Sequence, residues 1–324
     1  MDWRPSCSLE LLRKRAALLQ NIRCFFTERG VLEVETPLMC SAIGTDPHLD
    51  FFTTTYQCKP KQLTLFLQTS PEFAMKRLLS SGCGSIFQIC KAFRNGEAGR
   101  YHNPEFTLLE WYRVGYNLSQ LMDEIADLLI PLFAETRKLQ YVQRITYQAV
   151  FQQHTGLDPL LFSYEKYSNY AHKNGLIDAK ALCEDDHSRW LDFIFSYQVQ
   201  PHLGQNTLWL VFEYPACLPS LARMNAHNAL VTDRVEVFLD GVELGNGYYE
   251  LTDSKEQEQR FDREIAIRDE AMLPQASKDK RLLAALESGL PECSGIAIGL
   301  DRILMLLTES SGIDDVLAFS LSKV

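Results

Sequence analysis

The sequence predicts an α+β fold in which a mostly antiparallel sheet is flanked by helices. Residues 86–93 and 105–113 both have the composition of strands and are joined by a loop rich in Gly, Asn, Arg and His. A second pair of strands surrounds Asp240-Gly241, because an Asp-Gly dipeptide between apolar strands is a strong hairpin signal. Helical patterns separate these hairpins, which favours an antiparallel α+β arrangement over alternating parallel units.

The length of 324 residues fits one elaborated domain, and we expect a single domain over residues 1–324. With 46% hydrophobic residues the chain can bury a sizeable core. Residues 140–205 show mixed helical signals without a chemical motif, and we interpret them as an insertion or variable region.

The composition excludes several classes of protein. Residues 1–12 lack the apolar stretch of a signal peptide and no later apolar run approaches a bilayer-spanning length, so we expect neither secretion nor membrane insertion. The net charge of −10 argues against broad nucleic-acid binding. The nine cysteines are odd in number and form no Cys-x-x-Cys pair, which indicates free thiols and predicts a cytoplasmic protein.

Caps and breakers mark the predicted helices. Ser8 precedes a wide apolar stripe that ends at Gly30, which predicts a capped amphipathic helix. Ser70, Pro71 and Glu72 supply a cap residue, a proline for the first turn and an acid near the positive helix end. Three more helices are predicted, the second of them charged and exposed: residues 118–129, 254–272 and 301–307.

The strand that follows the polar loop carries groups suited to a nucleotide. Alternation places Phe106, Glu110 and Tyr112 on one face. For such a segment alone, a core strand whose Glu110 satisfies a buried partner is the commoner case. The loop, however, includes Arg94 and His102, and these anion-binding groups lie beside an aromatic ring able to stack on a purine.

The Asp240-Gly241 turn predicts the register of its hairpin. With a two-residue loop, Glu236 pairs with Gly245, so Glu236 and Glu243 lie diagonally on one face, roughly 7–8 Å apart. Two carboxylates at that spacing can share a metal ion, although unrelated acids on an exposed hairpin are commoner. The predicted pairs are Leu239 with Val242, Phe238 with Glu243, and Glu236 with Gly245.

Residues 243–250 allow one alternative. Glu243, Asn246 and Glu250 also fit one face of a helix, but Gly245 and Gly247 disfavour helix formation there.

Residues 295–302 form the third element that can bind an anion. A strand of small residues turns through Gly299 into a helix, whose N-terminus favours negative charge, and Arg302 adds a fixed positive charge. This pattern is unspecific when taken alone.

Together these elements resemble the three signature motifs of class II aminoacyl-tRNA synthetases. Residues 29–37 are similar to motif 1, residues 93–95 with 102–112 to motif 2, and residues 295–302 to motif 3. Residues 245–251 are similar to the lysyl branch of that family. The resemblance spans nearly the whole chain and implies a class II synthetase-like catalytic domain that forms a homodimer through motif 1.

The first predicted helix leads directly into motif 1, so we expect no N-terminal anticodon-binding barrel. This arrangement resembles the bacterial paralogues of lysyl-tRNA synthetase that ligate (R)-β-lysine to a lysine side chain of translation elongation factor P. The resemblance implies ATP and Mg²⁺, an aminoacyl-adenylate intermediate and no tRNA binding. Two alternatives stay open: a lysyl-tRNA synthetase-like enzyme that acts on tRNA or a free amine, and a non-catalytic regulatory paralogue.

The same resemblance implies roles for individual residues. Arg94 and Arg302 are expected to be catalytic, and Glu236 with Glu243 to hold Mg²⁺. The expected nucleotide-binding residues are Arg94, Asn95, Gly96, His102, Asn103, Phe106, Glu243, Leu244, Gly299 and Arg302. The expected amino-acid-binding residues are Ser70, Pro71, Glu72, Glu110, Tyr112, Asn246, Glu250 and Ala297.

Two positions depart from the family pattern. Gly96 stands where the synthetases have a glutamate, so that contact is either lost or supplied by Glu97. Ala297 stands where lysyl-tRNA synthetases carry glycine, which adds one methyl group to the pocket floor. A methyl group is worth about 1–3 kcal/mol of discrimination, enough to bias selection between α- and β-amino acids.

Overall fold

The computed structural model describes residues 3–134, 136–137, 139, 141–204, 206–218 and 221–324. The chain divides into two compact units, the first comprising residues 1–116 and 252–324 and the second residues 117–251. All nine cysteines are free thiols, as predicted. Within the described ranges, no helix is both long and apolar enough to cross a membrane. That the chain is a single domain stays a prediction.

The α-helices are α1 (Leu9–Glu28), α2 (Glu72–Ser80), α3 (Leu118–Phe133), α4 (Tyr147–Thr155), α5 (Tyr164–Lys173), α6 (Ala179–Cys183), α7 (His187–Ile194), α8 (Ser254–Glu270), α9 (Lys280–Gly289) and α10 (Leu300–Leu307). The strands are β1 (Leu32–Glu33), β2 (Met39–Cys40), β3 (Thr53–Cys58), β4 (Lys61–Leu67), β5 (Ile86–Phe93), β6 (Glu105–Val114), β7 (Val142–Thr146), β8 (Leu208–Pro215), β9 (Val231–Leu239), β10 (Val242–Tyr249) and β11 (Cys293–Gly299). These elements confirm the predicted α+β class.

In the first unit, four strands lie in the order β1-β5-β6-β11. Strand β1 is parallel to β5, whereas β6 is antiparallel to both β5 and β11. The predicted hairpin of β5 and β6 is therefore confirmed, with its polar loop at the tip. The same unit holds a three-stranded antiparallel sheet in the order β2-β4-β3, for which the sequence analysis offers no counterpart.

Helix α1 begins and ends where its sequence signals predict. The hydroxyl oxygen of Ser8 accepts a first-turn backbone N–H at 3.2 Å, and Gly30 has a φ of +66°, which glycine adopts without strain. On the buried face, Phe26 stacks on Phe87 with ring centroids 4.6 Å apart and packs against Trp111. These contacts fix α1 to the β5–β6 hairpin.

Helix α8 is less exposed than its charge pattern predicts. Its Phe261 and Arg268 are buried, and the guanidinium of Arg268 donates to the backbone carbonyls of Asp46, Leu49 and Pro274. Because a guanidinium has five N–H donors, carbonyl groups can satisfy it away from water. The expectation of an exposed helix is therefore wrong on this side, where α8 anchors the segment before β3.

In the second unit, four strands lie in the order β10-β9-β8-β7, with β7 parallel to β8 and the other pairs antiparallel. Residues 140–205 contain β7 and the four helices α4 to α7. These helices share a buried aromatic core that includes Tyr147 and Trp190, and Tyr147 stacks on Phe195 with centroids 4.9 Å apart. The interpretation of this region as an insertion stays a prediction.

The hairpin of β9 and β10 follows the predicted register only near its turn. Asp240 and Gly241 both have positive φ, as a two-residue turn of this hand requires, and Glu243 is aligned with Phe238. A β-bulge between Glu243 and Gly245 then shifts the pairing by one residue, so that Glu236 faces Asn246. The predicted pair of Glu236 with Gly245 is therefore wrong.

Candidate active site

The loop of the β5–β6 hairpin places Arg94 beside two predicted partners. Its guanidinium lies over the ring of Phe106, 5.0 Å from the centroid, and its backbone N–H donates to the carbonyl oxygen of Pro104. Its Nη1 atom is 3.6 Å from Oε1 of Glu97. The buried Nε atom has no hydrogen-bond partner within the described part of the chain, so it is a donor suited to an anion.

The backbone at position 96 has the geometry of a glycine site. Gly96 has a φ of +77°, a conformation that side-chain-bearing residues rarely adopt. The next residue, Glu97, is the one that reaches Arg94. Whether Glu97 supplies the contact that Gly96 cannot make stays a prediction.

Motif 3 meets the tip of the same loop. Arg302 donates through Nη2 to Nε2 of His102 at 2.7 Å and through Nε to the carbonyl of Tyr101 at 3.1 Å. Gly299 is the residue before the first turn of α10, as predicted. Two of the predicted phosphate ligands, His102 and Arg302, are thus in direct contact.

The two asparagines of the loop hold the backbone in place. The amide of Asn95 donates to Oδ2 of Asp50 at 2.7 Å, and the amide of Asn103, which is buried, donates to the carbonyl of Glu105 at 2.6 Å. Asp50 is not predicted as a site residue, because an acid in an irregular segment carries no local signal. Direct contacts of Asn95 and Asn103 with a nucleotide stay a prediction.

Asp301 is a second residue that the sequence analysis does not single out. It is buried, accepts the backbone N–H of Thr107 through Oδ2 at 2.7 Å and pairs with Arg15 of α1 through Oδ1 at 2.5 Å. The helix that carries Arg302 is thereby fixed to the strand that carries Phe106. Asp301 directly precedes Arg302 of motif 3, and this position was the sequence signal that could have identified it.

Glu110 is one of the residues predicted to bind the amino acid. Its carboxylate is buried and accepts hydrogen bonds from the hydroxyls of Tyr112 at 2.7 Å and Ser70 at 2.8 Å. Burial, together with repulsion from Glu72, raises the pKa of Glu110 from its ordinary value of 4.5 to about 7, while these hydrogen bonds and Lys76 oppose the rise. A cation placed beside Glu110 would relieve this cost.

The start of α2 carries Glu72, which is linked to Glu110 through the hydroxyl of Ser70. Pro71 is the residue before the first helical turn, and the hydroxyl of Ser70 accepts the backbone N–H of Glu72 at 3.1 Å. The carboxylate of Glu72 lies 2.5 Å from Nζ of Lys76, one turn later. The sequence analysis does not anticipate this buried lysine.

Strand β11 pairs with β6, the strand that carries Glu110 and Tyr112. Ala297 is aligned with Glu110 and Gly295 with Tyr112. A Cβ atom on Gly295 would lie 2.3 Å from Cδ1 of Tyr112, so glycine is required for the ring to keep its place. Ala297 thus lies across from Glu110 in the sheet, and both its place in the pocket floor and its role in selection stay predictions.

In the second unit, β9 presents the carboxylate of Glu236. Arg234 forms a salt bridge to Oε1, and the hydroxyl of Tyr214 donates to Oε2 at 2.6 Å. Burial raises the pKa of Glu236 from 4.5 to about 7, Arg234 lowers it and Glu243 raises it. The repulsion from Glu243 agrees with the predicted proximity of the two carboxylates.

The bulge sets the direction of the residues that follow it. Asn246 accepts from Nε of Arg234 at 3.2 Å and donates to the hydroxyl of Tyr248 at 2.9 Å. The side chains of Leu244 and Glu250 are buried, and the carbonyl of Glu250 accepts from Arg223 at 3.1 Å. Contacts of these residues with a substrate stay predictions.

The donor set in the second unit fits Mg²⁺. Mg²⁺ prefers carboxylate oxygens and is commonly held by one or two of them together with phosphate oxygens and water. The raised pKa of Glu236 reflects a negative charge that a cation would stabilise. Among the described residues, no group of three or more His, Cys, Asp and Glu side chains could hold a metal ion, so a metal here depends on Glu236 and Glu243 with oxygens from a substrate.

These strands and motif residues define a class of protein. The chain belongs to the class II tRNA synthetases, since the family model described as tRNA synthetases class II (D, K and N) matches residues 1–323.

Particular relatives are similar over their full length. An elongation factor P–(R)-beta-lysine ligase of Klebsiella pneumoniae (strain 342) is 44% identical over 323 residues, 99% of this chain and 98% of the relative. Ligases with the same name from Pectobacterium carotovorum subsp. carotovorum (strain PC1) and Salmonella dublin are 44% identical over 324 residues and 43% over 323, again covering 99% of this chain and 98% of each relative.

Proposed function

We propose that this protein is an ATP-dependent ligase that activates (R)-β-lysine as an adenylate and transfers it to the ε-amino group of a lysine on translation elongation factor P. The observation that carries the proposal is the 44% identity, over nearly the whole of both chains, to relatives named for this activity. We also propose that the protein acts in the cytoplasm and does not bind tRNA.

The nucleotide is bound by positive groups of motifs 2 and 3. Arg94 and Arg302 hold the phosphates, with His102 beside Arg302, and Phe106 stacks on the adenine. The proposal is supported by the contact of Arg302 with His102 and by the position of Arg94 over Phe106. Fixed guanidinium groups stabilise the charge that develops as pyrophosphate leaves.

The amino acid is bound by carboxylates because it carries two ammonium groups. Glu110 meets one ammonium group, and Tyr112 and Ser70 orient the carboxylate. Asn246 and Glu250 are further residues that we propose bind the amino acid. Glu236 and Glu243 hold Mg²⁺, which supplies positive charge to the phosphates when bound.

The reaction needs no nucleophile from the protein. A carboxylate oxygen of the amino acid attacks the α-phosphorus of ATP in line, the bond to the pyrophosphate oxygen breaks, and an aminoacyl adenylate forms. The deprotonated ε-amine of the acceptor lysine then attacks the acyl carbon, AMP leaves and an amide bond forms.

Intact-mass analysis tests the proposal. Purified elongation factor P is incubated with the enzyme, ATP, Mg²⁺ and (R)-β-lysine, and we expect its mass to increase by one lysyl group. Arg94→Ala is expected to abolish the increase. Charging of tRNA in a parallel incubation would favour the synthetase-like alternative, and an increase with α-lysine only would contradict (R)-β-lysine as the substrate.

Pyrophosphate exchange tests the remaining alternative. A non-catalytic regulatory paralogue would give no exchange with any diamino acid, whereas the proposed ligase gives exchange that depends on (R)-β-lysine.

We further propose that the protein is a homodimer that associates through motif 1. Leu32, Leu38 and Met39 lie in or directly after this motif and have exposed side chains, which supports an apolar contact there. Light scattering coupled to size-exclusion chromatography is expected to give twice the mass of the chain, and Leu32→Glu with Met39→Glu is expected to give the single mass.

A further inference from the structure

Helix α1 carries an arginine, Arg15, that the proposed reaction does not use. Its side chain is 18% exposed, and its Nη2 atom lies 2.5 Å from Oδ1 of Asp301, whose side chain is 2% exposed. The same Nη2 atom donates to the backbone carbonyl of Val316 at 3.0 Å. A buried carboxylate is costly unless it is paired and hydrogen-bonded, and Arg15 supplies the positive charge of this pair. One guanidinium thus joins α10 to the segment that follows it.

The contact with Asp301 fixes the motif 3 helix against the motif 2 strand. The other carboxylate oxygen, Oδ2, accepts the backbone N–H of Thr107 at 2.7 Å. Thr107 lies just beyond the last aligned pair of β6 and β11, which is Leu108 with Gly299. The carboxylate therefore continues the pairing at the point where β11 turns into α10. Because Arg302 directly follows Asp301, its position depends on this carboxylate.

The contact with Val316 fixes the segment that holds the motif 2 loop. Nε of Arg100 donates to the carbonyl of Ser311 at 2.9 Å, and the carbonyl of Arg100 accepts the backbone N–H of Ile313 at 2.8 Å. The carbonyl of Ile313 in turn accepts the backbone N–H of Val316 at 3.1 Å. Residues 311–316 therefore connect the guanidinium on α1 to the loop.

Both connections end at the contact between Arg302 and the loop. Arg302 donates through Nη2 to Nε2 of His102 at 2.7 Å and through Nε to the carbonyl of Tyr101 at 3.1 Å. Asp301 holds the helix side of this contact, and Arg100, one residue before Tyr101, holds the loop side. Hydrogen bonds of these lengths are lost when either side moves by about 1 Å.

We propose that Arg15 is a positioning residue for the nucleotide: through Asp301 it sets the place of Arg302, and through Val316 it sets the place of the motif 2 loop. This inference rests on the proposed function and deepens it, because it concerns the site that we propose binds the phosphates. Arg15 acts through these residues and not by contact with a substrate.

The residues proposed to bind the amino acid are held by contacts that do not include Arg15. Glu110 lies inside the paired part of β6, between β5 and β11. Its carboxylate accepts hydrogen bonds from Tyr112 and Ser70. Loss of Arg15 should therefore weaken the binding of ATP and leave the binding of the amino acid unchanged.

The kinetic test compares two variants of Arg15. Arg15→Met (R15M) removes the guanidinium, and Arg15→Lys (R15K) keeps the positive charge. Lys14→Met (K14M) is the matched control, because Lys14 pairs with Glu10 on the same helix at an exposed site, with Nζ and Oε1 3.2 Å apart. The readouts are kcat, the KM for ATP and the KM for (R)-β-lysine in pyrophosphate exchange.

We expect R15M to raise the KM for ATP by about tenfold or more and the KM for (R)-β-lysine by less than about twofold, since a displacement of 1 Å at a positioned group costs up to about a hundredfold. R15K is expected to recover most of the loss, and K14M to keep all three values. A purely structural arginine would lower kcat through loss of folded enzyme and leave both KM values unchanged. An unchanged KM for ATP in R15M, or an equal rise in both KM values, would overturn the proposal.

Hydrogen exchange measured by mass spectrometry tests the same connections without any substrate. We expect R15M to exchange faster in peptides that cover residues 99–107 and 311–316, which include the N–H groups of Thr107 and Ile313, and at an unchanged rate in β5. Equal acceleration in all peptides, or none in these two, would overturn the proposal. Absent pyrophosphate exchange in the unmodified enzyme, with this local acceleration present, refutes the proposed function and supports the connections made by Arg15.

A double variant keeps the proposal testable if R15M folds poorly. R15M leaves the buried carboxylate of Asp301 without its cation, so it should lower the melting temperature. R15M/D301N removes both charges and keeps an oxygen for the N–H of Thr107, so it should melt at a higher temperature than R15M. It should still show the raised KM for ATP, because it lacks the bridge to Val316. If it melts no higher, Arg15 does not balance the charge of Asp301 and the inference fails.

Discussion

A partly buried carboxyl group on α8, that of Glu264, makes the stability of the protein depend on pH. Glu264 accepts a hydrogen bond from the hydroxyl of Thr45. Burial raises its pKa from 4.5 to about 7; Thr45 lowers it and Asp46 raises it. We expect Glu264→Gln to stabilise the protein at alkaline pH, because the amide keeps an oxygen for Thr45 and carries no charge.

The size and sign of the effect follow from the two pKa values. Below pH 4.5 the folded and unfolded states both hold the proton, and Glu264 costs no stability. As pH rises from 4.5 to 7, the folded state keeps a proton that the unfolded state has released, so stability falls. Above pH 7 the cost is complete and amounts to about 3 kcal/mol for a shift of this size.

Melting curves at pH 5 and pH 8 measure the effect. For a chain of this length, about 3 kcal/mol corresponds to a rise in melting temperature of about 5 °C at pH 8, with about a quarter of that at pH 5. Glu270→Gln is the matched control, since Glu270 lies on the same helix with an exposed side chain. Equal gains for Glu264→Gln at both pH values would refute the reasoning.

Three further substitutions test the candidate site. Glu97→Gln removes the acidic partner of Arg94, and the side chains of Arg94 and Glu97 are 28% and 27% exposed. Because a partly exposed ion pair is weak, we expect the KM for ATP in pyrophosphate exchange to fall by no more than about fivefold. A higher KM would mean that Glu97 itself assists nucleotide binding. Gly295→Ala places a methyl group against the ring of Tyr112. We therefore expect a loss of about 1–3 kcal/mol in the free energy of unfolding and a higher KM for the amino acid. An unchanged KM would contradict the requirement for glycine. Ala297→Gly should raise the rate with α-lysine relative to β-lysine by up to about tenfold, whereas an unchanged ratio of the two rates would exclude a role for the methyl group in selection.

Sequence patterns predict the strands of the first unit well, because their signals are local. Alternation and the polar loop define the β5–β6 hairpin to within one residue at its far end. The three-stranded sheet of β2, β4 and β3 escapes prediction because β3 and the first half of β4 are exposed and have no buried face to create a pattern.

In the candidate site, too, residues with a local sequence signal can be predicted and residues without one cannot. Arg94, His102 and Arg302 are identifiable because motif residues mark them, and the structure brings His102 and Arg302 into contact. Lys76 and Asp301 are harder to identify, since a lysine on a helix and an acid at a helix start both suggest the surface. Their burial depends on partners that lie elsewhere in the chain or one turn away, and no local pattern reports it.

The β-bulge after Glu243 has a consequence for how this segment can change during evolution. Because alternate residues of a strand point to opposite sides, loss of one residue at Leu244 would turn Asn246 and Tyr248 to the side now occupied by buried neighbours. Replacement of Leu244 by another apolar side chain preserves every downstream direction. We therefore expect lineages of this protein to accept exchanges at position 244 but to reject any change in the number of residues between the turn and Glu250.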